Sequence, residues 1–245
     1  MIVKFFKRMG YKVQKIEDAP FIAEADGYDL ETIRLARQIS MQSHERLWAL
    51  INATKYIALN NIPGAFVECG VYKGGSAVVI ARTLNRYKIL DRKIYLYDTY
   101  EGMTAAQEID KKISTNISAI HYLNSSSKED NVWAYASFES VTKVIDSLDY
   151  PKSNFIQIKG DVSETLLKVL PTSIALLRLD TDWYESTIVE LEILYPLVVK
   201  NGIIIIDDYG HWSGAKSAVD DYLVLNKINP LMNYIDYSGR LWIKI

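Results

Sequence analysis

The sequence has very little cysteine, with Cys69 as the only one among its 245 residues. A disulfide within the chain is therefore excluded, and the cytoplasm is the default compartment. Cys69 lies in an apolar run beside a glycine turn. We therefore expect it to pack in the core rather than to serve as a reactive thiol.

Other absences narrow the class of protein. Positive charge is not in excess, because 28 Lys and Arg stand against 30 Asp and Glu, so no nucleic-acid partner is expected. No apolar run approaches the roughly 20 residues that a membrane span needs. The start of the chain also lacks the apolar stretch of a cleavable signal. With 49% hydrophobic residues, the chain is well able to bury the core of one large α/β domain.

Two apolar runs in the second half of the chain end on acidic residues. Asp180 and Asp182 follow residues 174–179, and Asp207 and Asp208 follow residues 203–206. Such runs are typical of parallel strands buried on both faces. The residues between them have the apolar spacing of a helix, and a helix that connects the two strands allows them to run in the same direction. Their carboxylates would repel one another unless a cation lay between them, and Mg²⁺ suits oxygen ligands. The alternative is that Asp180 caps the next helix and that Asp207 and Asp208 open a solvated loop.

A glycine-rich turn follows the first predicted strand, residues 65–71. Gly70, Gly74 and Gly75 allow a ligand to approach the backbone and the amides of the following helix, residues 77–87. The pattern is not GxGxxG, which argues against NAD. Glu68 lies where an acid at a strand end can reach the amine of a ligand.

Two further strands lead to acidic residues. Residues 93–98 end on Asp98, which we expect to hydrogen-bond the ribose of an adenosine-containing cofactor. Residues 154–158 form the next strand, and Asp161 follows it. Two roles for Asp161 stay open: it lies beside the cofactor crevice, or it caps the short helix predicted over residues 163–170.

The remaining segments complete an α/β pattern. Residues 29–60, with Asp29 or Thr32 as cap, and residues 131–148 are predicted to be helical, whereas residues 99–127 are predicted to be a flexible lid rather than a core element. Residues 231–236 and 241–245 predict a closing antiparallel hairpin. The expected fold is a Rossmann-like class I methyltransferase sheet, with parallel strands, a C-terminal antiparallel hairpin and an N-terminal helical cover.

Residues 1–16 form a basic and apolar segment. Its basic residues are Lys4, Lys7, Arg8, Lys12 and Lys15, and its apolar ones include Ile2, Val3, Phe5, Phe6 and Met9. Such a segment fits peripheral contact with an anionic membrane surface or with a partner subunit. The alternative is a helix packed on its own domain. We expect residues 1–60 to form this arm and the helical cover, and residues 61–245 to form the methyltransferase domain.

Four motifs resemble the macrocin O-methyltransferase (TylF/MycF-type) family, which methylates sugar hydroxyls on antibiotics. They are residues 66–76, 97–102, 177–187 and 206–210, within a resemblance over roughly residues 40–225 that leaves the basic arm outside the family pattern. The resemblance implies a class I fold, S-adenosylmethionine as methyl donor and a divalent ion, normally Mg²⁺.

The resemblance also implies roles for individual residues. It makes Asp180, Asp207 and Asp208 the metal ligands, with Asp182 as the main rival and Glu185 in support. It places the methionine end of the cofactor at Glu68, Gly70 and Ser76, the ribose at Asp98 and the adenine near Asp161. Gly74 and Thr99 are also expected to bind the cofactor.

The expected function is therefore a Mg²⁺-dependent O-methyltransferase (EC 2.1.1) that acts on a sugar hydroxyl of a glycan or glycosylated metabolite. A metal polarises this weakly acidic hydroxyl, and a carboxylate accepts its proton, with Asp180 as first choice and His211 as the alternative. Rival readings are a catechol-type phenolic acceptor, a non-catalytic cofactor-binding module and an NAD-dependent oxidoreductase. A homo-oligomer is expected by analogy alone.

Overall fold

The computed structural model describes residues 22–245, so the expectations for residues 1–16 lie outside the described part of the chain. Its strands in chain order are β1 (Ala65–Cys69), β2 (Ile94–Asp98), β3 (Lys111–Lys112), β4 (Ile117–Ser118), β5 (Phe155–Lys159), β6 (Ile174–Leu179), β7 (Val198–Ile206), β8 (Asn233–Tyr234) and β9 (Arg240–Ile243). Seven of them form the central sheet in the order β5-β2-β1-β6-β7-β9-β8, and β3 pairs with β4. The first five of these pair in parallel, and β9 runs antiparallel to both β7 and β8. The predicted sheet with its C-terminal hairpin is confirmed.

Helices cover both faces of this sheet. They are α1 (Gly27–Arg37), α2 (His44–Leu59), α3 (Gly75–Arg86), α4 (Ala119–Asn124), α5 (Phe138–Asp146), α6 (Val162–Thr165), α7 (Tyr184–Leu194) and α8 (Ser213–Leu225). Alternate residues of β7 face opposite layers: Ile203 and Ile205 join the core with α1, α2, α3 and α5, while Ile204 and Ile206 join the core with α7 and α8. Burial on both faces explains why the strand sequences are continuous apolar runs.

The N-terminal helical cover predicted over residues 29–60 consists of two helices, α1 and α2, separated by residues 38–43. Asp26 caps α1 by accepting hydrogen bonds from the backbone N–H groups of Tyr28 and Asp29 at 3.0 and 3.1 Å, so neither Asp29 nor Thr32 is the cap. Ser43 caps α2. Both helices share one core cluster with β1 and α3. The division of the chain at residue 61 stays a prediction.

Two other helices are shorter than predicted. Within residues 131–148, α5 begins only at Phe138, because Ala134 adopts a left-handed backbone with φ 45° and Ser137 provides the cap. Within residues 163–170, α6 already ends at Thr165.

The segment over residues 99–127 packs against the rest of the fold. Ala119 and Leu123 of α4 form a buried cluster with Trp183, Trp212 and Ala215. The expectation that this segment contributes no core element is therefore wrong. No helix within residues 22–245 has both the length and the apolar character required to cross a membrane.

Candidate active site

A cavity of about 430 Å³ opens at the carboxyl ends of the parallel strands. Eight of the residues selected from the sequence line it: Gly70, Asp98, Thr99, Asp161, Asp180, Asp207, Asp208 and His211. Asp182, the rival metal ligand, lines it as well. This is the edge of an open α/β sheet where ligands bind.

The glycine turn after β1 forms one end of the cavity. Gly70 has φ 84°, and a Cβ on it would overlap the backbone carbonyl of Asp180, so only glycine lets the tips of β1 and β6 approach this closely. Asp98 holds the turn in place, because its carboxylate accepts hydrogen bonds from the backbone N–H groups of Val71 at 2.6 Å and Tyr72 at 3.0 Å. Burial raises the pKa of Asp98, although these bonds oppose the shift.

Asp161 lies at the same end and combines the two roles left open by the sequence. Its carboxylate accepts a hydrogen bond from the backbone N–H of Ser163 at 2.8 Å and caps α6, and it also lines the cavity. Contact with an adenine stays a prediction.

Three of the predicted cofactor residues do not line the cavity. Glu68 is 1% exposed and its carboxylate bonds the Arg178 guanidinium at 2.5 Å. Ser76 is buried and accepts a hydrogen bond at 2.6 Å from Gln42, which does line the cavity. Gly74 is the N-cap of α3 with φ 87°. The roles of these three residues toward a cofactor stay predictions.

Carboxylates from two adjacent strand tips converge next to this turn. Leu179 of β6 pairs with Ile206 of β7, so the acids that follow these strands are neighbours. Asp180, Asp207 and Asp208 offer oxygen atoms that all lie within 4.8 Å of one another. Asp180 does not cap α7, whose N-terminal Tyr184 N–H donates to Asp110 at 2.9 Å. The convergence expected from the sequence is therefore present.

Two arginines that the sequence analysis did not select enter this cluster. Arg178 is 1% exposed and contacts Asp180 and Asp207 at 2.8 and 2.7 Å, in addition to Glu68. Arg46 of α2 forms ion pairs with Asp207 and, at 3.1 Å, with Asp236. Arg178 was visible in the sequence as a lone charge within a buried strand, a position that requires partners. Arg46 had no such local signal.

Carboxyl groups remain in surplus after these pairs are counted. The cluster contains two guanidinium groups and six carboxylates: Glu68, Asp180, Asp182, Asp207, Asp208 and Asp236. Burial and the neighbouring carboxylates raise the pKa values of Asp180 and Asp182 well above the usual range, although Arg178 opposes the shift at Asp180. The pKa of Asp207 is lowered instead, because Arg178 and Arg46 outweigh its burial.

This surplus fits a divalent cation. Carboxylate oxygens are the donors that Mg²⁺ prefers, and close like charges are stable together only when neutralised by protons or cations. Asp182 has a left-handed backbone with φ 72°, which is uncommon for a residue other than glycine and is a form of strain found at functional sites.

The other end of the cavity carries aromatic and basic side chains. His211, Tyr237, Trp212, Tyr122 and Lys112 line it. The Nδ1 atom of His211 lies 3.0 Å from the hydroxyl of Tyr237. Burial lowers the pKa of His211, so its imidazole is neutral at pH 7 and can accept a proton. Glu185 does not line the cavity; its carboxylate accepts a hydrogen bond from Gln107 at 3.0 Å.

Comparisons with known proteins give this geometry its context. The model of the macrocin O-methyltransferase (TylF) family matches residues 5–244. The match includes most of the basic arm, so the expectation that the arm lies outside the family pattern is wrong. The demethyldecarbamoylnovobiocin O-methyltransferase of Streptomyces niveus is 32% identical over 183 residues, which cover 75% of this chain and 67% of that protein.

Two more similarities agree with this match. The 8-demethyl-8-(2,3-dimethoxy-alpha-L-rhamnosyl)-tetracenomycin-C 4'-O-methyltransferase of Streptomyces olivaceus is 28% identical over 203 residues, which cover 83% of this chain and 74% of that protein. The structure of the O-methyltransferase NovP has a TM-score of 0.72 at 27% identity and covers 84% of this chain and 82% of its own. The chain belongs to the macrocin O-methyltransferase (TylF) family and is an S-adenosylmethionine-dependent O-methyltransferase.

Proposed function

We propose that this enzyme methylates a sugar hydroxyl of a glycosylated small molecule and uses Mg²⁺ to do so. The observation that carries the proposal is the convergence of Asp180, Asp207 and Asp208 on one wall of the cavity, between the glycine turn and the aromatic end. The name of the Streptomyces olivaceus relative, which includes a rhamnosyl group, supports a glycosylated acceptor.

The residues of the cavity divide the task between its two ends. The turn at Gly70 and the carboxylate of Asp98 lie at the end assigned to the methyl donor, and the side chains around Trp212 lie at the end assigned to the acceptor. The acceptor oxygen attacks the methyl carbon in line with the carbon–sulfur bond, so alignment of the two substrates is the main contribution of the protein.

The acid cluster provides for deprotonation of the acceptor. Mg²⁺ held by Asp180, Asp207 and Asp208 would supply the positive charge that makes a weakly acidic sugar hydroxyl easier to deprotonate. Asp180 is the first choice as proton acceptor because it lies in the cluster and lines the cavity. The neutral imidazole of His211, which also lines the cavity, is the second choice.

The test is methyl transfer to matched acceptors, each glycoside beside its own aglycone, with EDTA and after readdition of Mg²⁺. We expect transfer to the glycoside alone, loss of activity with EDTA and recovery with Mg²⁺. Full activity in EDTA would remove the metal from the mechanism. Transfer to catechols and aglycones, but not to glycosides, would favour the phenolic acceptor.

A second assay distinguishes this proposal from two other hypotheses, an NAD-dependent oxidoreductase and a non-catalytic cofactor-binding module. The family assignment argues against an NAD-dependent oxidoreductase, and thermal shift with NADH and S-adenosylhomocysteine checks the point directly. We expect stabilisation by S-adenosylhomocysteine alone. Stabilisation without transfer to any acceptor in the panel would favour a non-catalytic cofactor-binding module.

A further inference from the structure

The turn between β8 and β9 reaches back to the loop that carries the metal-site carboxylates. The backbone N–H of Gly210 donates to the carbonyl of Ser238 at 2.9 Å. A Cβ on Gly210 would overlap the carbonyl of Tyr237, so the two backbones are in direct contact. A hairpin that the sequence predicts only as the closing element of the sheet therefore forms part of the active-site wall.

Ser238 connects this turn to the two neighbouring aspartates. Its side chain is fully buried. Its hydroxyl donates to the backbone carbonyl of Asp207 at 2.7 Å and lies 3.3 Å from Oδ1 of Asp208. Because a hydroxyl carries only one proton, these two oxygen atoms share it. The contact fixes both the peptide that joins Asp207 to Asp208 and the direction of the Asp208 carboxylate.

Asp236 makes the turn a rigid support. Its Oδ1 accepts hydrogen bonds from the backbone N–H groups of Ser238 at 2.9 Å and Gly239 at 2.7 Å. Its Oδ2 accepts a hydrogen bond from Ser43 at 2.6 Å and pairs with Arg46 at 3.1 Å. The position of the Ser238 hydroxyl is therefore set by the turn and by α2, whose Arg46 also pairs with Asp207.

We propose that Ser238 is a positioning residue for the divalent-metal site, which directs the Asp208 carboxylate toward Asp180 and Asp207. This rests on the proposed use of Mg²⁺. Hydrogen bonds to metal-ligating carboxylates orient them, and their loss typically weakens metal binding by about 10- to 100-fold.

The test measures metal binding directly, with Mn²⁺ as probe and electron paramagnetic resonance of the free ion as readout, in the presence of S-adenosylhomocysteine. Ser238→Ala is expected to raise the Mn²⁺ dissociation constant about 10-fold, at the lower end of the range for lost outer contacts. We expect the affinity for S-adenosylhomocysteine to stay unchanged and the activity to recover when the Mg²⁺ concentration is raised. The matched control is Ser147→Ala, since the Ser147 hydroxyl donates to the backbone carbonyl of Val144 at the exposed end of α5 and contacts none of the metal-site carboxylates.

Two further variants keep the test decisive. Ser238→Cys is nearly isosteric with a weaker donor, so it should fold and should also bind Mn²⁺ more weakly. In an Asp208→Asn background, Ser238→Ala should have no further effect on Mn²⁺ binding, because the partner that it positions is already altered.

The outcomes separate this inference from the proposed function. If the wild-type enzyme binds Mn²⁺ and both Ser238 variants bind it equally well, the role of Ser238 is refuted and the metal site stands. A Ser238→Ala effect that is unchanged in the Asp208→Asn background would also refute action through Asp208. If the wild-type enzyme binds no Mn²⁺, the proposed function itself fails.

Discussion

The carboxylates of the active site form two groups that differ in how their charge is balanced. The inner acids, Glu68 and Asp207, are at most 3% exposed at their side chains and are bound directly by Arg178. The outer acids, Asp182 and Asp208, make no ion pair with a cationic side chain within residues 22–245. Asp180 lies between them and shares Arg178 with the inner group.

The difference shows that one cluster serves two purposes. Loss of one partner from a buried ion pair is strongly destabilising, because a charge left alone in the interior is costly. The inner acids are therefore part of the folded core. The outer acids are not balanced by the protein, so a cation from solution has a place beside them. The predictions below test this division.

The largest expected effect comes from removal of the shared cation. Arg178→Met leaves Glu68, Asp180 and Asp207 without their common partner, so we expect a loss of about 3–5 kcal/mol in the free energy of unfolding. Urea denaturation measures this loss. The control is Arg34→Ala, which breaks an exposed pair with Glu31 and should leave the stability nearly unchanged. Similar small effects for both variants would mean that the inner acids are not a structural unit.

The next effect separates two neighbouring aspartates. Asp208→Asn should lower the rate of methyl transfer about 100- to 1000-fold, which corresponds to several kcal/mol in the activation free energy, because metal-assisted catalysis is lost. Stability and affinity for S-adenosylhomocysteine should stay unchanged. Asp207→Asn should lower both activity and stability, because Asp207 balances Arg178 and Arg46. Activity assays and thermal unfolding of the two variants side by side check the contrast. Equal destabilisation by both substitutions would abolish the distinction between inner and outer acids.

The smallest effect concerns Glu190, a buried acid with no ion pair within the described residues. Its carboxylate accepts a hydrogen bond from Thr181 at 3.1 Å, and burial raises its pKa well above the usual range. The unfolded chain ionises near pH 4.3 while the folded carboxyl stays protonated, so this group lowers stability as the pH rises from about 4 to neutrality. Glu190→Gln should therefore raise the free energy of unfolding at pH 7 and leave it unchanged near pH 4.

Unfolding measured across this pH range tests the Glu190 prediction. The result also bears on the outer acids, because Glu190 is a buried carboxyl without an ion pair within the described residues. An equal gain at pH 4 and pH 7 would show that Glu190 has the same pKa in the folded and the unfolded chain, which contradicts the account of its burial.

The sequence predicts the acids of this site better than it predicts their partners. Asp180, Asp207 and Asp208 follow buried parallel strands, and parallel pairing alone brings such strand ends together. Arg46 and Ser238 have no comparable signal, because Arg46 contacts Asp207 across 161 positions of the chain and Ser238 belongs to a turn that could serve only to join two strands. The sequence also mispredicts the start of α5, because the Ser137 cap determines where this helix begins.

The central claim is that the outer acids are balanced by a divalent cation, and isothermal titration of the enzyme with Mg²⁺ at neutral pH, in the presence of S-adenosylhomocysteine, tests it most directly. The account predicts one Mg²⁺ per chain in the wild-type enzyme and markedly weaker Mg²⁺ binding in Asp208→Asn. Absence of binding in the wild-type enzyme, or unchanged binding in Asp208→Asn, would contradict it.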